Sequence, residues 1–315
     1  MNLLIIKTSS LGDVVHMLPA LTDAAAALPG LRADWVVEEG FAAIPRLHPA
    51  VDRVIPVAIR RWRSALARVP TWQEIAAFRR DLRAERYDWV LDSQGLLKSA
   101  LLAAQAHGPR AGLDAASARE PLACRFYHHR YPASRGLHAV LRNRLLTAQA
   151  LGYALEVDAP VRYGIGNDTV AGVQVFCLHG TARAEKEYPE ADWVALAQRL
   201  VAAGLTPVFP AGSPREAARA ARIVAACPEA IALAQMPLVK LIPHLAAARA
   251  VVGVDTGLMH LAAALGRPGV GLYPATDPAR FGAVAEVGMP PIENLFRLQD
   301  LRPQAVAERL LVLRY

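Results

Sequence analysis

Short apolar, β-rich runs alternate with Ala/Leu-rich helical stretches along the whole chain. Runs at 3–7, 34–37, 53–57 and 89–92 form a first series, and runs at 173–178, 207–210, 250–254 and 270–273 form a second. Parallel strands need a long crossover between them, and a helix is the usual one, so this alternation predicts an α/β fold with parallel sheets. At 315 residues the chain has the length for two domains and a large core. The segment 156–172 separates the two series; it carries Pro160, Gly164, Gly166 and Gly172, shows little helical periodicity and is the expected linker. We therefore expect two Rossmann-like domains, 1–165 and 166–315, facing one another across a cleft, with ligands at the C-terminal ends of the strands. The sequence leaves open whether the last helix, about 303–313, packs back on the first domain.

Two strand-to-helix junctions carry most of the chemical information. At the second, the apolar run Ala250–Val254 stops at Asp255-Thr256-Gly257-Leu258-Met259-His260 and passes at once into a helical run. Such a turn leaves backbone N–H groups unpaired beside the positive end of the helix dipole, which suits an anion such as phosphate. A plain N-cap by Asp255 or Thr256 is the competing reading and is compatible with it. His260, three residues past Gly257, lies near it on the first turn and is either a phosphate donor or a structural residue. The N-terminal junction reads Lys7-Thr8-Ser9-Ser10-Leu11-Gly12-Asp13. Ser10 and Asp13 fit a capping box, yet Asp13 also stands at the end of the first strand, where a base would act, and neighbouring helical N–H groups favour its ionised form.

Two further loops end strands of the second series. Thr181 and Lys186, in the polar stretch after residue 178, can reach a diphosphate; a lysine among glutamates is otherwise usually solvated. Glu216, after Gly212-Ser213-Pro214-Arg215, can meet a ribose diol or sit exposed at a helix start. A lone Asp-Thr-Gly in an α/β context argues against an aspartic protease, which needs two such acids. The absence of Gly-x-Gly-x-x-Gly at the first turn argues against a dinucleotide oxidoreductase, and no P-loop is present. Histidine spacing and carboxylate pattern call for no metal.

The net charge of +7 is concentrated: residues 51–150 carry 17 basic against 8 acidic side chains, Arg60, Arg61, Arg63 and Arg119 among them. This points either to an acidic partner or to an ordinary Arg-rich surface. Aromatics are 6% and do not interleave with the charges, so nucleic acid is the weakest partner class. No segment has the length to span a bilayer, the N-terminus lacks a secretory pattern, and the scattered Cys124, Cys177 and Cys227 read as core fillers, so a cytosolic location is expected.

These segments together resemble the bacterial lipopolysaccharide heptosyltransferases. The resemblance spans nearly the whole chain: residues 7–16, 35–41, 54–63, 92–99, 118–121 and 254–263 carry it. The acceptor-side segments point to members that add the first heptose to Kdo-lipid A. The resemblance implies a glycosyltransferase B-type fold, ADP-L-glycero-D-manno-heptose as donor, inverting transfer to a Kdo hydroxyl and no required cofactor. By the same resemblance, Asp13 would be the general base. Thr181, Lys186, Glu216, Asp255, Thr256, Gly257, Leu258 and His260 would bind the donor, and Ser10, Gly12, Arg60, Arg61, Arg63 and Arg119 the acceptor. The enzyme would sit peripherally on the anionic cytoplasmic face of the inner membrane. The alternatives are a related heptosyltransferase adding a later heptose, a nucleotide-sugar epimerase, or a non-catalytic nucleotide-sugar-binding protein.

Overall fold

The computed structural model describes residues 1–166, 172–181 and 183–313, and forms two compact units, Met1–Gly164 and Ile165–Tyr315. Part of the expected linker, residues 167–171, and Ala182 of the loop before Lys186 lie outside the described residues.

The first unit holds strands β1 (Asn2–Ile6), β2 (Arg32–Glu38), β3 (Val51–Val57), β4 (Trp89–Asp92), β5 (Arg110–Leu113) and β6 (His129–Tyr131), all parallel, in the order β3-β2-β1-β4-β5-β6. The second holds β7 (Gln174–Leu178), β8 (Thr206–Phe209), β9 (Ile231–Ala232), β10 (Ala250–Val254), β11 (Gly269–Leu272) and β12 (Ile292–Leu295), also parallel, in the order β12-β11-β10-β7-β8-β9. Numbered within each unit, both sheets have the doubly wound order 3-2-1-4-5-6. The order in which strands are added reverses between β1 and β4 and between β7 and β10, and in this topology ligands bind outside the carboxyl ends of those strands.

Composition explains which strands are central. Leu3, Leu4, Ile5 and Ile6 of β1 and every residue of β10 are buried, as covering helices on both faces require. The strands β5, β6, β9 and β12 are only two to four residues long, so they leave no comparable apolar run. The core of the first unit packs Leu4, Ile6, Val36, Trp62, Phe78 and Leu82 together, and that of the second packs Trp193, Leu196, Phe209, Ile223, Val252 and Leu272. Each such side chain contributes about 1.5–3 kcal/mol on burial. The last helix, Pro303–Val312, buries Val306, Ala307 and Leu310 in the second unit's core, against helix Glu190–Ala202 and β11. Cys124, Cys177 and Cys227 are buried free thiols. No helix among the described residues is long and apolar enough to cross a membrane.

Candidate functional site

At the carboxyl end of β1 the backbone turns through Thr8, Ser9 and Ser10 into helix Leu11–Val15. Asp13 Oδ2 accepts from the Ser10 amide at 2.8 Å and from Ser10 Oγ at 3.0 Å. The carboxylate is half-buried and Gly12 beside it is buried. Gln94, just past β4, holds the same turn from the neighbouring strand. Its Nε2 donates to the Ser9 carbonyl at 2.6 Å, and its Oε1 accepts from the Thr8 and Ser9 amides at 3.0 and 3.3 Å.

Behind this turn lies a buried charge. Lys7 Nζ donates to the Ser93 carbonyl at 2.8 Å, and burial pushes its pKa down while Asp13 and Asp92 pull it back up. Asp92 is itself buried, which raises its pKa, but it accepts from Tyr127 Oη at 2.7 Å and the Gln94 amide at 2.8 Å. Glu38 ends β2 with its carboxyl pKa raised by burial. Thr8 Oγ1, Ser93 Oγ and Glu38 Oε1 are buried without a hydrogen-bond partner among the described residues. Three such atoms stand at the ends of three adjacent strands, β2, β1 and β4, the end at which ligands bind in this topology. Lys7, Glu38 and Gln94 are not among the expected site residues, although each stands at a strand's carboxyl end within a segment that carries the family resemblance.

The arginines divide. Arg119 is exposed, and its backbone abuts Gly95 in the turn after β4, to which Glu120 is tied by Leu97 N–H at 2.6 Å on its carboxylate. Arg60 and Arg63 are exposed on the short helix Ile59–Arg63. Arg61 is already engaged: Nε and Nη2 each donate to Glu39 at 3.0 Å, and Nη1 donates to Glu74 at 3.1 Å.

In the second unit, β7 and β10 end side by side and bring three predicted residues, Thr181, Lys186 and Asp255, together with Thr276. Thr181 Oγ1 donates to the Asp255 carbonyl at 3.4 Å. Lys186 Nζ donates to Asp255 Oδ2 at 2.6 Å, and Thr276 Oγ1 donates to the same oxygen at 2.8 Å. Thr256 is the N-cap of helix Gly257–Ala264 in extended conformation and makes no side-chain cap bond, so the first N–H groups of this helix are not capped by it. Gly257 and Leu258 are partly exposed at this end, while His260 is buried one turn on. Glu216 sits across β7 from Asp255. Its Oε2 accepts from the Gly212 amide at 2.7 Å, and a Cβ on Gly180 would fall 2.6 Å from its carboxyl carbon. Arg219, one turn along the same helix Pro214–Ala226, donates to the His179 carbonyl at 3.2 Å and to the Tyr188 carbonyl. It thereby pins both ends of the loop that carries Thr181 and Lys186. Among the described residues no group of three or more His, Cys, Asp or Glu is placed to hold a metal ion.

Residues 75–289 match the model of glycosyltransferase family 9 (heptosyltransferase). The chain belongs to glycosyltransferase family 9. Within that family it is 46% identical to lipopolysaccharide heptosyltransferase 1 of Escherichia coli K12, over 98% of this chain and 99% of that protein. It is 50% identical to lipopolysaccharide heptosyltransferase 1 of Pseudomonas aeruginosa, over 90% of this chain and 81% of that one. Solved structures of the E. coli heptosyltransferase WaaC, with ADP and with ADP-2-deoxy-2-fluoro heptose, match this family 9 chain with TM-scores of 0.89 and 0.86 at 44% identity, each covering 98% of both chains. The chain is thus a glycosyltransferase of the heptosyltransferase family, with the two parallel-sheet α/β domains of those structures.

Proposed function

We propose that this enzyme transfers L-glycero-D-manno-heptose from ADP-heptose to a Kdo hydroxyl of Kdo-lipid A, with inversion, in synthesis of the lipopolysaccharide inner core. The observation that carries this reading is the cluster Thr181, Lys186 and Asp255 at the β7/β10 end, beside an uncapped helix start, in a chain closely similar to one solved with ADP-2-deoxy-2-fluoro heptose.

In this reading the unit Ile165–Tyr315 binds the donor. Lys186 carries three N–H donors; with one on Asp255, two remain for the diphosphate. Thr181 and the N–H groups of Thr256, Gly257 and Leu258 complete the anion site, with His260 behind them. Glu216 takes the ribose diol. The unit Met1–Gly164 binds the acceptor. Both hydrogen bonds from Ser10 converge on Asp13 Oδ2, which leaves Oδ1 to receive the proton of the Kdo hydroxyl. The freed oxygen attacks the anomeric carbon, a new C–O bond forms, and the bond to the β-phosphate breaks with its electron pair leaving on ADP. Lys186 and the helix end stabilise that charge, so the reaction calls on no cofactor. Ser10, Gly12, Arg60, Arg63 and Arg119 contact the acceptor's carboxylates and phosphates, and Arg61 joins them on release from Glu39 and Glu74. The enzyme works peripherally on the cytoplasmic face of the inner membrane, where such an acceptor is presented.

The test incubates purified protein with ADP-heptose, with and without Kdo-lipid A, in EDTA, and follows ADP release and acceptor mass. One heptose is gained only with acceptor, and Asp13→Ala loses about 10²–10⁴ in rate without loss of folding. ADP release that ignores the acceptor, or no ADP at all, would overturn the reading. A requirement for an acceptor that already carries heptose would move the enzyme to a later step.

A further inference from the structure

Between Asp52 and Glu74 the chain has no acidic residue, while Arg53, Arg60, Arg61, Arg63 and Arg68 all fall there. The structure folds the middle of this segment into a tight turn between helices Ile59–Arg63 and Val69–Leu82. The Ala65 amide donates to the Trp62 carbonyl and the Arg68 amide to the Ala65 carbonyl, both at 3.0 Å, and Thr71 Oγ1 closes the turn on Ala65 at 2.8 Å.

The two sides of this turn differ in what they touch. On the inner side, Trp62 packs edge-on against Phe78 with ring centroids 5.8 Å apart and donates to Glu74 at 2.7 Å. Glu74 and Glu39 also pair with Arg61, so the nearby acids are already engaged by a cation. On the outer side, Leu66, Val69 and Trp72 are 50%, 69% and 56% exposed, next to exposed Ala67 and Pro70. Arg63 and Arg68 are exposed on either side of them.

We infer that this turn, residues 64–72, docks on an anionic lipid bilayer, with Leu66, Val69 and Trp72 entering the boundary between headgroups and acyl chains and Arg68 on lipid phosphates. The inference rests on the peripheral placement proposed above and gives it a contact surface. Three features favour a bilayer over an acidic protein. The apolar side chains form an exposed tip, whereas a protein partner would need a pocket to receive each one. The Trp72 indole N–H already donates to the Leu66 carbonyl at 2.8 Å, so the ring can leave water without an unsatisfied donor. Finally, Trp among aliphatic side chains flanked by arginines is the composition that partitions to the headgroup region of anionic membranes.

The experiment sediments the full-length protein with vesicles of phosphatidylcholine, with and without phosphatidylglycerol, in the absence of donor and acceptor. Binding is expected on the anionic vesicles, weakened at least about tenfold by the combined Leu66→Ser, Val69→Ser and Trp72→Ser variant and clearly weakened by Arg68→Gln. With brominated acyl chains, part of the wild-type tryptophan fluorescence is quenched, and Trp72→Phe removes that part while still binding. This readout decides the matter if the triple variant fails to fold. Wild-type protein that ignores anionic vesicles, a folded triple variant that binds them equally, or quenching that survives Trp72→Phe would each overturn the inference. The vesicles contain no Kdo-lipid A, so this result and that of the transferase assay are independent. The triple variant should retain wild-type turnover on acceptor dispersed in detergent, because none of its three positions belongs to the proposed site.

Discussion

The Lys186 ammonium and the Asp255 carboxylate, 69 positions apart in the chain, meet at 2.6 Å where β7 and β10 end. Their side chains are 20% and 10% exposed, and Thr276 Oγ1 supplies a second donor to the same Asp255 oxygen. The lysine is therefore oriented by the protein alone, and the aspartate depends on it for charge balance. Lys186→Ala should lower kcat/KM by about 10²–10³ through loss of leaving-group stabilisation and cost about 1–3 kcal/mol of stability by stranding Asp255. Lys186→Arg should restore most of the stability but less of the activity, since a planar guanidinium cannot divide its donors between carboxylate and phosphate in the same way. Steady-state kinetics and denaturant unfolding of the two variants check this; equal stability of Lys186→Ala and wild type would sink the account of the pair.

Gln94 is a positioning residue for the Asp13 turn. Its amide makes three bonds to the backbone of Thr8 and Ser9, and Ser10, the next residue, makes both bonds to Asp13. Gln94→Leu should reduce kcat by about tenfold or more with donor KM little changed, and cost about 1–3 kcal/mol. The kcat-against-KM split separates positioning of Asp13 from general loss of structure, which would move both parameters.

Gly180 bears on the ribose assignment. An alanine Cβ there would lie 2.6–2.9 Å from the three carboxylate atoms of Glu216. A flexible side-chain end can retreat from that contact, so Gly180→Ala should unfold at nearly the wild-type midpoint. Displacing the carboxylate should nevertheless raise donor KM by about tenfold, the loss expected for one charge-assisted hydrogen bond. An unchanged donor KM would argue that Glu216 does not hold the ribose.

His48 couples the first unit to pH. Burial depresses its pKa from 6.5 to about 4. Its Nδ1 accepts from the Ala50 amide at 3.2 Å, which leaves Nε2 to donate to Thr22 Oγ1 at 3.0 Å, so the folded ring is neutral. Above pH 6.5 neither folded nor unfolded His48 is protonated and the shift costs nothing. As pH falls below 6.5 the unfolded state takes up a proton that the folded state refuses, so stability declines until about pH 4. The total is about 3 kcal/mol. Chemical unfolding at pH 7.5 and pH 5 should show about 2 kcal/mol of this loss, and His48→Gln should shrink it; an equal slope in the variant would place the acid sensitivity elsewhere.

Elements that report themselves through nearest neighbours were legible in the sequence. The apolar runs of β1 and β10, the helix starts that follow them and the Ser10–Asp13 capping geometry all depend on residues within a few positions of one another, and all appear in the structure. The short strands β5, β6, β9 and β12 were not legible, because two to four residues carry no period to detect. In the candidate site, the sequence proposed Lys186 and Asp255 separately, and it read Arg61 as an acceptor contact without seeing Glu39 and Glu74 close around it. The roles of Gln94 and Arg219 were not legible, since their bonds are made to backbone groups 85 and about 30–40 positions away.

The sequence by itself determined that this chain forms parallel α/β units with anion-ready helix starts after their central strands, because helix and strand periods, caps and turns are set by local sterics and hydrogen bonding. Tertiary structure decided which of those ends stand side by side. The doubly wound order placed β4 next to β1 and β10 next to β7, and so delivered Gln94 to the Asp13 turn and Asp255 to Lys186. No local rule contains that choice: strand order is fixed by how whole helices and sheets bury their apolar faces against one another, and the polar partners meet where that packing carries them.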